Sequence, residues 1–336
     1  MEAFLSEQSL VSIPVLDADP ATEPAVAALQ AEPDRFALLL AQARRSYTPA
    51  GLHLADARSR HWASRSASPY AASVGAVARV LGRPGAYLLN YSYEWGCTTG
   101  AAADPDLGGM TLLRTLDWPF DGLGRALMVV RQAAAAGPYL SVTWPGYVGV
   151  LTGLAPGRFA AAINQPPLPL PRWGRAFGWL AARLRVGRST ALPPSHLLRL
   201  AFDTCGSFAE AVALIRRTPI CLPAIFTLAG PNPGEAVVIE RTQAAGFEPP
   251  EPAAANHWSA APATLGRPRN ESSHGRRAAM TTLLERGQGW SFDWLEAPIL
   301  QPDTRLAVMA NPRSGRLLVQ GWETDGPATE VLEIGR

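Results

Sequence analysis

The chain has 336 residues, of which 47% are hydrophobic and 17% are charged, a composition typical of a globular protein rather than a disordered one. Its formal net charge of +2 gives no support to a nucleic-acid-binding function. Every basic side chain other than histidine is arginine, which excludes a lysine nucleophile or a lysine Schiff base.

Helical patterns dominate the N-terminal part of the chain. Apolar residues recur at helical spacing over 24–48 and are interrupted by Pro33, which predicts two short helices or one kinked helix. A further helix is predicted over 69–82, because Pro69 suits the start of a helix and Gly82 suits its end.

From Cys97 onward the pattern changes to short β-type runs separated by Gly and Pro turns. Strands are predicted at 97–103, 110–117, 126–131, 139–144, 147–153 and 158–164. After a segment rich in Pro, Arg and Trp, helices are predicted at 195–202, 207–217 and about 274–286, with Ser207 as an N-cap. The remaining predicted strands are 224–230, 235–241, 305–310 and 315–322, with mostly loop over 243–273. The short hairpin links predict an α+β fold with mainly antiparallel sheets.

The first predicted hairpin brings three chemically active side chains together. Its turn is DPDLGG at 104–109, so position 97 lies opposite about position 116, and position 99 opposite about position 114. Cross-strand neighbours lie ~5 Å apart, which places Arg114 and Asp117 within side-chain reach of Cys97. The exact register, which could slip by one residue, decides whether Arg114 or Asp117 lies on the same face of the sheet as Cys97.

This grouping suits a cysteine nucleophile. A free thiol titrates near pH ~8.5, and a neighbouring arginine lowers that pKa by stabilising the thiolate. Gly96 permits a strained backbone, so the thiol of Cys97 could attack the preceding carbonyl and cleave the chain. The freed α-amine, with a reference pKa of about 7.7–8.0, is then a general base that Asp117 can orient. The alternative is an inert, buried cysteine at the start of a strand.

Several motifs resemble the family of acid ceramidase and N-acylethanolamine acid amidase. They are CTT from Cys97 and RTLDWPF from Arg114, GYVGVLTGLAPGRF at 146–159, and more loosely NHW from Asn256 with the arginine pair from Arg276. This family is similar to penicillin V acylase and bile salt hydrolase in the choloylglycine hydrolase group of N-terminal nucleophile hydrolases. The resemblance implies a four-layer αββα sandwich, with a helical segment at 1–96 packed on a catalytic segment at 97–336.

The resemblance also implies roles for particular residues. Cys97 would be the nucleophile and its α-amine the base, after self-cleavage between Gly96 and Cys97. Arg114 would tune the thiolate, Asp117 would hold the amine, and Arg276 would complete the polar site. Asn256 is similar to the asparagine that stabilises the oxyanion.

Other residues are expected to bind the substrate. Trp118 follows the motif aspartate, and a turn near 155–156 places Tyr147 opposite Asn164, so that both would line the pocket. The insert at 166–188 carries Trp173 and Phe177 on one face of a basic, amphipathic helix, which would contact a lipid interface or cover an acyl pocket. A packing helix is the alternative for this insert.

The chain departs from the family pattern at three points. Asn164, Gln165 and Pro166 replace an Asp-Glu-Arg triplet, so a pocket glutamate is absent. His274 and Gly275 replace two aspartates, and the segment at Asn256 is shortened. These departures affect the expected identity of the substrate more than the expected type of reaction.

The predicted function is hydrolysis of the linear amide bond of an N-acyl amide, either a fatty-acyl amide or a ceramide-like lipid. The alternatives are an acyltransferase that uses an amine in place of water, and a non-catalytic lipid-binding protein with the same fold. No cofactor and no metal site are expected, since the five histidines are scattered and no nucleotide-binding motif occurs. Cys205 and Cys221 are expected to be buried and inert. With no recognisable signal sequence or apolar membrane span, a cytoplasmic location is expected.

Overall fold

Five helices precede Cys97 in the part of the chain described by the computed structural model, which covers residues 9–46, 48–91, 96–167, 189–262, 266–269 and 272–335. Pro33 starts the second helix, so the reading of 24–48 as two helices is confirmed. The fourth helix ends at Gly82, whose φ of 64° is accessible to glycine without a side-chain clash. The helices are α1 Pro24–Ala31, α2 Pro33–Ser46, α3 Pro49–Ala63, α4 Ala71–Leu81 and α5 Ala86–Tyr91.

Helices α3 and α5 were not predicted from the sequence. Helix α3 begins after Thr48, whose side chain accepts a hydrogen bond from the backbone N–H of Gly51. Helix α5 has only six residues, too few for a periodic pattern to stand out. The two helices pack against each other, so tertiary contact supports elements whose local signals are weak.

The strands form two sheets. In spatial order, the first sheet contains β1 Val15–Asp17, β4 Met128–Gln132, β5 Tyr139–Thr143, β6 Thr152–Ala155, β7 Phe159–Asn164, β8 Ala224–Ala229, β9 Ala236–Arg241 and β10 Gly246–Phe247. The second contains β11 Ala253–Ala254, β2 Gly96–Ala103, β3 Met110–Asp117, β12 Thr304–Asn311, β13 Arg316–Glu323 and β14 Gly326–Pro327, with β15 Leu332–Ile334 paired to β13. The pairing of β1 with β4 is parallel, whereas the other pairings between these strands are antiparallel.

The two sheets pack face to face, because β2 and β3 of the second sheet contact β7 and β8 of the first. Helices α6 Pro194–Thr204 and α7 Phe208–Arg217 cover the first sheet, and α8 Ser273–Arg286 covers the second at β2 and β11. Gly100 of β2 permits the close approach of α8, since an added Cβ would lie 2.8 Å from Met280. The predicted αββα layering is confirmed.

One strand lies elsewhere than predicted. The sequence predicted a strand over 147–153, but β6 begins at Thr152 and pairs with β7 so that Thr152 faces Ala162. Tyr147 lies in the turn before β6, and Asn164 pairs with Ile225 of β8. The prediction that Tyr147 lies opposite Asn164 is therefore wrong, because Ala155 faces Phe159 and the turn spans 156–158 rather than lying near 155–156, which shifts the register.

Candidate active site

Cys97 lies on β2 in the register predicted from the hairpin turn. It faces Leu116 of β3, while Thr99 faces Arg114 and Gly96 faces Asp117. Side chains at 97 and 99 point to the same face, so Arg114 reaches diagonally across to the sulfur. Its Nη2 donates to Cys97 Sγ at 3.3 Å, and its Nη1 donates to the carbonyl of Ile163 at 2.9 Å.

The thiol of Cys97 is completely buried in the uncut chain. Burial raises its pKa to about 11, Asp117 acts in the same direction, and Arg114 and Arg276 partly oppose the shift. The sequence-based expectation of a lowered pKa is not met in this form of the chain, because the loss of solvation outweighs the attraction of the arginines. The sulfur is therefore a neutral thiol at neutral pH, with a cation in place for the thiolate.

Arg276 connects the components of the site. From the first turn of α8, its Nη1 donates to the Cys97 carbonyl at 2.7 Å and to Thr98 Oγ1 at 2.9 Å. The same nitrogen lies 3.2 Å from Asp117 Oδ2, and Nη2 donates to Asn256 Oδ1 at 2.7 Å. Arg276 is fully buried, so these contacts replace water around its charge.

Asp117 ends β3 beside the backbone of Gly96. A Cβ added to Gly96 would lie 3.4 Å from Asp117 Oδ2, so glycine leaves space for the carboxylate at the predicted cleavage point. Burial raises the pKa of Asp117, whereas Arg276 and a hydrogen bond from Thr304 Oγ1 at 2.8 Å oppose the rise. These contacts stabilise the charged form of the carboxyl group that lies beside the residue preceding Cys97.

Asn256 contacts the backbone nitrogen of Cys97. Its Oδ1 accepts from the Cys97 N–H at 2.8 Å, and its Nδ2 donates to the carbonyl of Gln165 at 2.5 Å. Sequence reasoning assigned the orientation of this nitrogen to Asp117 and assigned oxyanion stabilisation to Asn256. In this structure the Cys97 N–H donates to Asn256, so this side chain contacts the nitrogen that the predicted cleavage would turn into an amine.

Asn164 lies next to the site and is fully buried. Its Nδ2 donates to Thr99 Oγ1 at 3.0 Å and to the carbonyl of Ala254 at 3.2 Å. These bonds join β7 to β2 and to β11, the strand that leads to Asn256. Asn164 therefore supports the position of Asn256 from the opposite sheet.

Trp118 and Tyr147 border a narrow apolar cavity of about 40 Å³. Trp118 follows Asp117 directly, and the charge of Arg114 is close enough to Tyr147 to affect its pKa, which burial raises. The cavity therefore adjoins the polar cluster. Its walls come from the helical segment and from the loops that follow β3 and β5: Leu39, Leu89, Trp118, Phe120, Leu123, Trp144, Pro145, Gly146 and Tyr147.

Two predicted substrate-binding residues, Trp173 and Phe177, lie outside the described residues, as does most of the insert at 166–188. In the ranges that are described, no cluster of three or more His, Cys, Asp or Glu side chains could hold a metal ion. No helix in those same ranges is both long enough and apolar enough to cross a membrane.

Sequence reasoning missed Thr304 and Ser273. Thr304 donates to Asp117 because β12 pairs with β3, and Ser273 Oγ accepts from the backbone N–H of Asn256 at 2.9 Å. Neither residue lies in a motif that indicates chemistry, and both come from elements far from Cys97 in sequence. Only the packing of β12 and α8 identifies them.

Comparison with known proteins supports the same group of enzymes. The chain is 32% identical over 164 residues to N-acylethanolamine-hydrolyzing acid amidase of Oryctolagus cuniculus, which covers 46% of this chain and 42% of the relative. It is 34% identical over 100 residues to acid ceramidase of Pan troglodytes, which covers 30% of this chain and 24% of the relative. The predicted resemblance to these two groups is confirmed. The matches span less than half the length of these curated relatives, and no family model matches the chain.

A solved structure supports the fold. The N-acylethanolamine-hydrolyzing acid amidase ortholog of Caenorhabditis elegans superposes with a TM-score of 0.51 at 20% sequence identity. The superposition covers 71% of this chain and all of the other chain. At this identity the likeness concerns the arrangement of sheets and helices.

Proposed function

We propose that this chain is a self-processing cysteine amidohydrolase that cleaves the amide bond of an N-acyl amide. The observation that carries the proposal is the environment of Cys97. Its sulfur lies 3.3 Å from the Arg114 guanidinium, and its backbone nitrogen is held at 2.8 Å by Asn256. A nucleophile and a future base on one residue are thus oriented by separate polar groups.

Self-cleavage would begin with attack of Cys97 Sγ on the carbonyl carbon of Gly96. A C–S bond forms, the C–N bond between the two residues breaks, and the thiol proton passes to the departing nitrogen. Water then hydrolyses the resulting thioester, which leaves a carboxylate on Gly96 and a free thiol and α-amine on Cys97. Cleavage divides the chain into the proposed segments 1–96 and 97–336.

The same atoms would then act on an external amide. The α-amine takes the thiol proton as sulfur attacks the acyl carbonyl, and it returns a proton to the leaving amine. Water hydrolyses the acyl thioester, with the amine again as the base, and releases the fatty acid. Arg114 stabilises the thiolate and Asp117 orients the amine through the polar cluster around Arg276.

Asn256 would have two roles in the reaction, one through each end of its side-chain amide. Its oxygen accepts from the nitrogen of Cys97, and its amide N–H is a donor for the oxyanion of the substrate. A side-chain amide in that role typically lowers the barrier by ~3–4 kcal/mol. Arg276 holds Asn256 Oδ1 at 2.7 Å, so the amide plane is constrained while the charge develops.

The substrate is proposed to be an amide of an apolar acyl group. The apolar cavity beside Trp118 and Tyr147 supports this choice, as do the names of the relatives, which refer to an N-acylethanolamine and a ceramide. Trp173 and Phe177 are proposed to extend the apolar surface from the insert. Gln165, where the related pattern has a glutamate, lies beside the site without adding a charge.

The helical segment is proposed to stay bound after cleavage. Its strand β1 pairs with β4, and Glu23 forms an ion pair with Arg199 of α6 at 2.8 Å. Residues Leu39 and Leu89 of this segment also line the cavity. Loss of the segment would therefore open one wall of the acyl site.

Intact-mass analysis and an amide hydrolysis assay test the proposed function together. The purified protein is expected to yield two fragments, residues 1–96 and 97–336, and to release fatty acid from a long-chain N-acyl amide. Cys97→Ala is expected to remain one chain and to lose at least about 1,000-fold in activity. Cys205→Ala, which removes another buried thiol at the end of α6, is the matched control and should cleave and hydrolyse normally.

An uncut wild-type chain without activity would contradict the proposal, and so would full hydrolysis by Cys97→Ala. Addition of a primary amine separates hydrolysis from acyl transfer. A new amide in place of the free fatty acid would identify the acyltransferase alternative.

Filling the apolar cavity is expected to discriminate between acyl lengths. Leu89→Trp places a larger side chain in the wall contributed by α5, so kcat/KM for long-chain amides should fall about 10-fold or more, while short-chain amides are little affected. Leu54→Trp on the exposed face of α3 is the control and should leave both rates unchanged. Equal losses of kcat/KM for short-chain and long-chain amides would show that the cavity is not part of the acyl-binding site.

A further inference from the structure

Asn256 is held on its backbone side by the first residue of α8. Ser273 Oγ accepts a hydrogen bond from the Asn256 N–H at 2.9 Å and lies 2.8 Å from Nδ1 of His257. Ser273 is fully buried, and His257 is buried to 6% exposure. One hydroxyl therefore contacts both Asn256 and the residue after it.

These contacts suit a neutral His257 that accepts a hydrogen bond at Nδ1. The hydroxyl oxygen accepts from the Asn256 N–H, and its own hydrogen can be donated to Nδ1 when that nitrogen carries no proton. An imidazole that accepts at Nδ1 is neutral and carries its proton on Nε2. Protonation of Nδ1 would turn this nitrogen into a donor, so the hydroxyl would have to reorient and accept from both Nδ1 and the Asn256 N–H.

We propose that Ser273 and His257 are positioning residues for Asn256, and that the neutral imidazole is the form that keeps Asn256 aligned with the Cys97 nitrogen. This inference rests on the proposed function, because it assigns a role in the same reaction. It concerns residues that do not touch the reacting atoms. Their effect passes through the backbone of Asn256 to its side chain.

The surroundings of His257 favour the neutral form. The ring of His274 lies against it with centroids 3.9 Å apart, and Arg276 and Arg277 of the same helix add positive charge. Arg276 is paired with Asp117, and Arg277 with Glu251. On the other side, the backbone N–H of Arg269 donates to the Asn256 carbonyl at 3.3 Å. Burial, followed by His274, Arg277 and Arg276, lowers the pKa of His257 to about 4.

The sign of the pH dependence follows. In the folded protein His257 stays neutral well below its ordinary pKa of 6.5, and protonation disrupts the Ser273 contact as the pH falls through about 4. The expected effect on hydrolysis is a loss of kcat at acid pH that adds to any titration of the Cys97 amine. A comparison of variants at each pH separates the two effects.

Four variants of the processed full-length protein test the assignment. Ser273→Ala and His257→Leu should lower kcat about 10- to 100-fold at neutral pH, with KM within about twofold, since displacement of a site residue reduces the rate of the bound complex. His257→Asn should retain kcat, because its amide oxygen replaces Nδ1 as the acceptor and does not titrate. His274→Asn removes the stacked ring but not the Ser273 contact, and should resemble the wild type at neutral pH.

The pH profile provides the readout that a purely structural role would not change. The ratio of kcat for His257→Asn to kcat for the wild type should be constant near neutral pH and should rise as the pH falls through about 4. Wild-type kcat in folded Ser273→Ala and His257→Leu would overturn the inference, as would a ratio that is independent of pH. Circular dichroism of each variant separates misfolding from displacement.

A second measurement does not require catalysis. The ¹⁵N shifts of the His257 ring should show an unprotonated Nδ1 at neutral pH, and its pKa should rise toward the ordinary value in Ser273→Ala. A protonated Nδ1 in the neutral ring would overturn the inference even if the enzyme is active. Failure of the wild type to hydrolyse any amide, with these shifts as expected, would overturn the proposed function alone.

Discussion

Replacing Arg276 with leucine is expected to remove about 3–5 kcal/mol from the free energy of unfolding and to abolish amide hydrolysis. Arg276 is fully buried, and its two terminal nitrogens contact the Cys97 carbonyl, Asp117 and Asn256. Leucine would leave a buried carboxylate without its closest cation and a buried carbonyl without its donor. Both of these lost contacts involve groups that hold Cys97 in position.

Its neighbour Arg277 provides a matched control for this variant. Arg277 lies on the same turn of α8, donates to Glu251 at 2.6 Å and is partly exposed, so water screens the pair. Arg277→Leu should therefore lose far less stability and should keep its activity. Chemical denaturation and hydrolysis rates measure both variants. Similar losses in the two would show that Arg276 has no special role.

The second large effect is expected in the dependence of stability on pH. His196 of α6 is fully buried against the helical segment, with Ser68 Oγ 2.7 Å from its Nδ1. Burial, with the charge of Arg199, lowers its pKa to about 3, and the pKa of His257 is lowered to about 4. Both rings are therefore neutral in the folded chain under conditions where they would be charged in the unfolded chain.

The sign follows from proton linkage. Below pH 6.5 the unfolded chain binds a proton at each histidine, whereas the folded chain does not until the pH reaches about 4 at His257 and about 3 at His196. The stability contributed by the neutral rings is complete above 6.5 and is lost across this window as the pH falls. Two extra protons give a slope of up to about 2.7 kcal/mol per pH unit.

Denaturant unfolding at a series of pH values measures this slope. The double variant His196→Gln, His257→Asn should flatten it, because neither replacement titrates. The matched control is the double variant His53→Gln, His61→Gln, whose positions lie on the exposed surface of α3. Its slope of stability against pH should equal that of the wild type. A double variant with the slope of the wild type would contradict the assignment of these protons to His196 and His257.

Local chemistry was sufficient to predict the centre of the site. The turn at 104–109 sets the register of β2 and β3, and Gly108 and Gly109 have φ values of 67° and 70° that the tight turn requires. Since side chains alternate along a strand, the count from this turn placed Cys97 and Arg114 together. The same reasoning failed at Tyr147, because the turn between β6 and β7 spans 156–158 rather than lying near 155–156, which shifts the register of the pair.

The amino-acid sequence alone determined the hairpin, the α+β class and the resemblance to acid amidases, because these depend on neighbouring residues and short motifs. Tertiary structure decided the rest of the site. Arg276 reaches Cys97 across 179 residues of chain, and the bond from Thr304 to Asp117 spans 187. It also decided the protonation of the thiol, since enclosure between two sheets removes the water that would stabilise its charged form. Contacts between distant segments and the loss of solvent are properties of the packed molecule, which no local pattern contains.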